Sequence, residues 1–255
     1  MSFLKFLQRS GLVASLPPTE QMVVNFRQMH SPMEALLVRS DQELGGYSTA
    51  HLDLISSHSN KPSEGDKAAV AVQADGTPEQ FGRFHGNLNL DLPPSRPDVV
   101  QSGYAMFRTR DMKPTWRNPL QSEFWNWERC DKLMLRVRGD RRKYFVNIQA
   151  ESPLITDLYQ HRLFLKTPGQ WETVLIPLSD FILTNWGVIQ HQQEMDLQHI
   201  RTIGIGLIDK QYGPFSLDID WIKVISSDLI SKEMLNDQNS PPANQTPGKR
   251  LSIDD

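Results

Sequence analysis

From residue 40 to residue 225, apolar and polar positions alternate in short runs, and turn residues separate the runs. This is the pattern of an all-β sandwich or barrel, in which each strand buries one face and wets the other. The clearest stretch is 133–148. Leu133, Leu135 and Val137 alternate with Met134, Arg136 and Arg138; Gly139-Asp140 marks a turn; Tyr144, Val146 and Ile148 resume the alternation. The spacing predicts a hairpin there, buried on one face. Further strands are expected over 68–74, 84–90, 103–109, 161–166, 171–176, 200–208 and 215–225. Pro, Gly and Ser punctuate 57–66, 93–98 and 110–120 as surface loops.

The two ends follow other patterns. Residues 1–39 read as a helical arm. Ser31-Pro32-Met33-Glu34 has a cap residue, a proline for the first turn and an acid at capping-box spacing, so a short helix is expected through Val38. Before Glu20 there is no acid. Phe3, Leu4, Phe6 and Leu7 fall on one side of a short helix, opposite Lys5, Gln8 and Arg9. Three readings fit this segment: a mitochondrial transit peptide, a retained helix on a membrane surface, or a helix docked on the protein. At the other end, 226–238 fits one amphipathic helix. The stretch 239–255, with Pro241, Pro242, Pro247 and Gly248, lacks the apolar content to fold alone. The expected organisation is an arm (1–39), a β-domain (40–225) and a tail (226–255).

Composition narrows the partners. A net charge of −3 over 255 residues argues against a whole-domain footprint for nucleic acid, and none is expected as a partner. The lone Cys130 rules out an internal disulfide, fits a reducing compartment, and reads as a small buried apolar side chain. No apolar run approaches the roughly 20 residues of a membrane-spanning helix.

Candidate chemistry is sparse. His191, Glu194 and His199 are close together but match no metal template, and read as a solvated loop. Gly204-Ile205-Gly206 lacks the third glycine and the helix of a dinucleotide fingerprint, and reads as a close backbone approach within a sheet. Asp218 and Asp220 alternate on one strand and face one side; they could hold a cation or a sugar hydroxyl, or line a wet sheet face. No catalytic residue, metal ligand or cofactor site is expected.

Binding candidates remain. Arg136, Arg138, Arg141, Arg142 and Lys143, offset only by Asp140, form a basic cluster that could face acidic protein or lipid headgroups. Exposed on a turn, Arg141 and Arg142 should tolerate reversal to Glu without loss of fold. Trp116, Trp125 and Trp127 lie beside Arg117 and Arg129, a composition typical of interface anchors, although a satellite core would explain them too. Trp171 and Trp221 sit in strand-like runs and are expected in the core.

An ordered series of short motifs runs through the β-domain. It comprises Ser40-Asp41, Gly45-Gly46-Tyr47-Ser48, Phe84-His85-Gly86, Gly103-Tyr104-Ala105, Leu135 through Asp140 with Tyr144, and Asp157-Leu158-Tyr159. It continues with Gly169-Gln170-Trp171, Ile176-Pro177, Ser179-Asp180-Phe181, Ile203-Gly204-Ile205, Asp209-Lys210-Gln211, Gly213-Pro214-Phe215 and Trp221-Ile222. In this series the chain resembles the complex I intermediate-associated protein 30 family, mitochondrial assembly factors for respiratory complex I. The resemblance covers about 40–225 and implies a galactose-binding-like jelly-roll β-sandwich with short peripheral helices at its two ends. It implies a non-enzymatic role without cofactors. The implied partners are membrane-arm assembly intermediates of complex I and other assembly factors. The implied location is the mitochondrial matrix, peripheral to the inner membrane. Arg141 departs from the glycine the family often has after Arg-Gly-Asp. The alternative expectation is a carbohydrate- or small-ligand-binding jelly-roll module.

Overall fold

The computed structural model describes residues 17–56, 77–94, 96–99, 101–112 and 123–230. Thirteen strands run in chain order: β1 Glu20–Asn25, β2 Leu36–Ser40, β3 Thr49–Ser56, β4 Gln80–Leu88, β5 Ala105–Thr109, β6 Lys132–Gly139, β7 Tyr144–Ala150, β8 Asp157–Arg162, β9 Glu172–Pro177, β10 Ile182–Asn185, β11 Val188–Ile189, β12 Ile200–Leu207 and β13 Gly213–Ile225. They form two antiparallel sheets. The first has the order β3-β4-β13-β6-β9, with β1 also paired to β13; the second has the order β11-β10-β8-β7-β12-β5-β2. The expected all-β jelly-roll sandwich is the observed architecture.

Alternation is what buries the core. In β6 Leu133, Leu135 and Val137 point inward, in β7 Tyr144, Val146 and Ile148, in β12 Ile203, Ile205 and Leu207, and all are within 1 % of full burial. They pack in one cluster with Phe84, Phe107 and Phe215, whose rings meet at 5.0–5.1 Å. Cys130 joins this cluster as expected, and burial pushes its thiol up to about 11. Gly204 lies where β12 closes on β5: a Cβ there would sit 2.2 Å from the Phe107 carbonyl oxygen.

Several expectations are corrected. The alternation over 133–148 is real, but β6 and β7 belong to different sheets, so 140–143 is a corner between sheets and not a hairpin turn. A period of two reports which side chains are buried and says nothing of which strand is the neighbour. The helical arm over 1–39 is corrected over its second half. The helix α1 is only Pro32–Ala35, without a side-chain cap from Ser31, and Leu36 onward pairs with β5 from Leu36↔Thr109 to Ser40↔Ala105. Tertiary pairing overrides the local start signal. Strand β1 likewise pairs with the end of β13, so 20–40 belongs to the sandwich. The strand expected at 161–166 lies at Asp157–Arg162. Trp221 is only part-buried, because β13 bulges between Ile219 and Trp221 and the inward phase passes to Ile222 and Val224. The strand expected at 68–74, the tail 239–255 and most of the 226–238 helix lie outside the described residues; 227–230 is helical.

Candidate functional site

The basic segment separates into three environments. Arg136 and Arg138 project from alternate positions of β6 onto the outer face of the first sheet. There they meet Asp220 at 3.3 Å and Asp218 at 2.8 Å on neighbouring β13. Arg27 and Arg83 reach the same two carboxylates from the other side. Each aspartate therefore lies between two guanidinium groups, 4 % exposed at Asp218 and fully buried at Asp220. The wet face or cation site considered from sequence is corrected: these carboxylates are occupied by arginines. The Asp220 hydrogen bond raises the Arg27 guanidinium above its usual pKa. Trp171, expected in the core, instead lies on this outer face under Arg138, 5.0 Å from its guanidinium carbon, and donates Nε1 to Thr77.

Arg142 occupies the second environment. Its side chain is 10 % exposed, and Nε and Nη2 donate to both carboxylate oxygens of Asp209, whose side chain is fully buried, at 2.7 and 2.9 Å. The same guanidinium donates to the carbonyls of Gln211, Gly213 and Pro214. Asp209 belongs to the loop after β12, which carries the chain from the second sheet back to the first. Arg142 thus clasps one intersheet corner to the next. Asp140 tightens the clasp by accepting from the Arg142 and Ser216 amides at 2.9 and 2.8 Å. The expectation that Arg142 tolerates reversal is therefore corrected, since Glu would set a second carboxylate against the buried one of Asp209. The third environment is solvent, where Arg141 and Lys143 are exposed.

A second knot closes the same end. Asp41, 1 % exposed, accepts from the amides of Ser48 and Gly103 and the hydroxyls of Ser48 and Ser102, at 2.6–2.8 Å. Burial pushes this carboxyl up, but the four donors outweigh burial and hold it below its usual range. A Cβ at Gly46 would fall 2.5 Å from Asp41 Cγ, and Gly103 has φ +84°, so both motif glycines serve this knot.

The other sequence candidates separate clearly. Trp127 is fully buried and stacks with part-buried Trp125 at 6.1 Å, and Trp125 bridges Ile200, so this pair is core packing. Trp116, Arg117 and the N-terminal Phe3, Leu4, Lys5, Phe6, Leu7 and Arg9 lie outside the described residues. His199 pairs with Asp196 on the surface, and His191 bonds the neighbouring Gln192 carbonyl.

At the opposite end of the second sheet lies a feature the sequence reading missed. A groove of about 360 Å³ runs across the outer face of β5, β12, β7 and β8. Its floor includes Gly204, which presents no side chain, and its walls include Asn147, Gln149 and Thr202. Asp111 takes Arg108 on one oxygen at 3.1 Å and Arg201 on the other at 2.9 Å. Burial pushes the Asp111 carboxyl up, but the two guanidinium groups outweigh it and hold it low. The rim is apolar. Leu154 and Ile155 cap the β7–β8 loop, Trp186 tops the β10–β11 turn, and Val188 and Ile189 form β11; these are 58, 71, 83, 62 and 68 % exposed. The two tips are tied together by Asn185, which donates to Thr156 and Asp157 at 2.8 and 2.7 Å.

Trp186 and Gly187 have φ of +50° and +74°, and Asn185 pairs with Val188 across them, which makes a two-residue turn of the type favoured in hairpins. Asn-Gly is the usual occupant; a bulky side chain at positive φ costs about 1–3 kcal/mol. The available signals were the Asn-Trp-Gly-Val string and the absence of any Asp, Glu, Lys or Arg from 181 to 193.

The family model of complex I intermediate-associated protein 30 (CIA30) matches residues 24–219, a span that reaches from β1 into β13. The chain is 37 % identical over 230 residues to the mitochondrial complex I intermediate-associated protein 30 of Neurospora crassa, covering 83 % of this chain and 79 % of that one. It is 30 % identical over 228 residues to the Mus musculus protein of the same name, covering 88 % of this chain and 61 % of that one. Among solved structures, a family 11 carbohydrate-binding module of Clostridium thermocellum matches 84 % of this chain and 97 % of its own, with a TM-score of 0.51 and 14 % identity. The same module in complex with a mixed-linked tetrasaccharide matches with a TM-score of 0.50 and 14 % identity, over 81 % of this chain and 95 % of its own. At such identities the likeness is one of fold, the jelly roll. Matched across both sheets and aligned over four-fifths of its length with a named relative, the chain belongs to the complex I intermediate-associated protein 30 family.

Proposed function

We propose that this protein is a non-enzymatic assembly factor for mitochondrial respiratory complex I. In this reading it holds membrane-arm intermediates, together with other assembly factors, at the matrix side of the inner membrane. One observation carries it: the family match spans 24–219 and so takes in both sheets, the Arg142–Asp209 clasp and the Asp41 knot. Several motifs of the series, those with Asp41, Gly46, Ser48, Gly103, Asp140 and Asp209, converge on these two knots. They specify a rigid sandwich, and a rigid sandwich with paired interior charges suits a holder of other chains better than a moving catalyst.

Within that role, Arg141 and Lys143 are the exposed cations of the corner, without an ion pair among the described residues. They are the members of the sequence cluster left to meet an acidic partner, while Arg136, Arg138 and Arg142 shape the surface from beneath. Complexome profiling of mitochondria tests the role. The protein is expected to co-migrate with a complex I subassembly, and its deletion to deplete the mature complex. Migration only as a free monomer, with normal complex I in its absence, would sink the reading.

A further inference from the structure

We propose that the open end of the second sheet docks on a phospholipid surface, its apolar rim entering the interfacial layer and its arginine-lined groove taking a headgroup phosphate. The rim supplies the first half. Leu154, Ile155, Trp186, Val188 and Ile189 stand exposed on two tips held together by Asn185. Contiguous exposed apolar side chains mark an interaction surface. Aliphatic tips with one tryptophan, and no charge from 181 to 193, match the side of a bilayer where hydrocarbon meets headgroups, the layer that tryptophan favours. The β10–β11 tip holds no carboxylate, and on the β7–β8 tip the Asp157 carboxylate is engaged by Asn185 and Ser152.

The groove behind the rim supplies the second half. Asp111 is one carboxylate between two guanidinium groups, so the trio keeps a net positive charge. Arg108 uses Nη1 on Asp111 and the Thr109 carbonyl, and Arg201 uses Nη2 on Asp111; their other N–H groups have no partner among the described residues. Asn147 accepts from Gln160, and its own Nδ2 is likewise unmatched among them. The groove is thus rich in unmatched donors and wants an acceptor-rich anion, for which guanidinium and phosphate have matching geometry. A neutral sugar would satisfy the donors but leave four aliphatic side chains in water. A free phosphate would do the same. A glycerophospholipid places phosphate and hydrocarbon next to each other, in the order in which groove and rim are arranged.

This surface deepens the membrane contact proposed above, yet it can fail or stand without complex I, because vesicles and purified protein suffice to test it. Full-length protein is floated with vesicles of phosphatidylcholine alone or of phosphatidylcholine and phosphatidylglycerol at three to one. The wild type is expected to float with both, more with the anionic mixture. Ile155→Ser with Trp186→Asn should lower partitioning about tenfold on both, since burial of apolar side chains scales the binding. Arg201→Gln should remove the preference for the anionic mixture while leaving the melting temperature in place. Full flotation of the rim variant, with loss in a Phe3→Ser, Phe6→Ser variant, would overturn the proposal and assign membrane contact to the N-terminal segment. Titrations with glycerol phosphate and with a soluble glucan check the other occupants of the groove. Tight binding of either one by a protein that does not float would overturn the lipid surface and leave a small-ligand site.

Discussion

At the Tyr144 end of β7 the chain turns its corners over buried carboxylates, Asp209 and Asp41, each satisfied by an arginine or by a ring of amides and hydroxyls. At the Ala150 end it turns over bare aliphatic side chains and a tryptophan on strained backbone. The Tyr144-end corners join β6 to β7 and β12 to β13, whereas the Ala150-end tips join β7 to β8 and β10 to β11. At the two closed-end corners, 140–143 and 208–212, the chain crosses between sheets. There the backbone leaves its ladder, and polar side chains must replace the lost hydrogen bonds. The two apolar tips of the open end, β7–β8 and β10–β11, turn within the second sheet, their ladders close themselves, and their side chains are released for another use. One end holds the sandwich together; the other has no interior reason for its composition.

The largest effect should follow from breaking the closed end. Arg142→Ala leaves Asp209 buried without its partner, which costs about 3–5 kcal/mol. The urea midpoint should fall sharply with the slope unchanged. Arg141→Ala, one residue away and exposed, should stay within about 0.5 kcal/mol. Equal effects at the two positions would mean that the clasp does not hold the corners.

Asp41 sharpens the comparison through pH. Its folded pKa lies below the ordinary carboxylate value, so it binds fewer protons in the folded chain than in the unfolded one. Its contribution is complete above the unfolded pKa of about 4 and is lost as pH falls through the lower, folded value. Asp41→Asn should cost about 1–3 kcal/mol at neutral pH and flatten the acid limb of a stability profile between about pH 5 and about pH 2. A profile as steep as the wild type's would place the acid sensitivity elsewhere.

How much of this was legible differs between the two ends. Alternation identified the inward residues of β6 and β7, because burial on one face is written at a period of two. It could not separate a corner from a hairpin, since Gly139-Asp140 serves either, and so the basic run 136–143 looked like one exposed patch. Only the positions of Asp209, Asp218 and Asp220, brought in from distant strands, divide it into paired, buried and exposed cations. The bulge in β13 hid Trp221 in the same way, by changing the phase where no residue announces it. The motif series did mark the closed end: Asp41, Gly46, Ser48, Gly103, Asp140 and Asp209 all belong to its knots. The open end carries few of those motifs. Its signal is negative, a stretch from 181 to 193 without Asp, Glu, Lys or Arg, and the lack of charge at a turn specifies no partner by itself.

The smallest effect is also the one that distinguishes use from structure. Trp186 holds φ +50° ahead of Gly187, a backbone that asparagine adopts readily and tryptophan does not. Trp186→Asn converts the turn to Asn-Gly and relieves that strain, while the lost side chain, 83 % exposed, takes little packing with it. The fold should gain about 1 kcal/mol, a rise of a few degrees in melting temperature for a domain of this size. If tryptophan were there for the fold, the same change would destabilise it. A protein that becomes more stable and at the same time leaves the vesicle shows a residue kept against the interest of its own turn, which is the signature of a surface shaped for something outside the molecule.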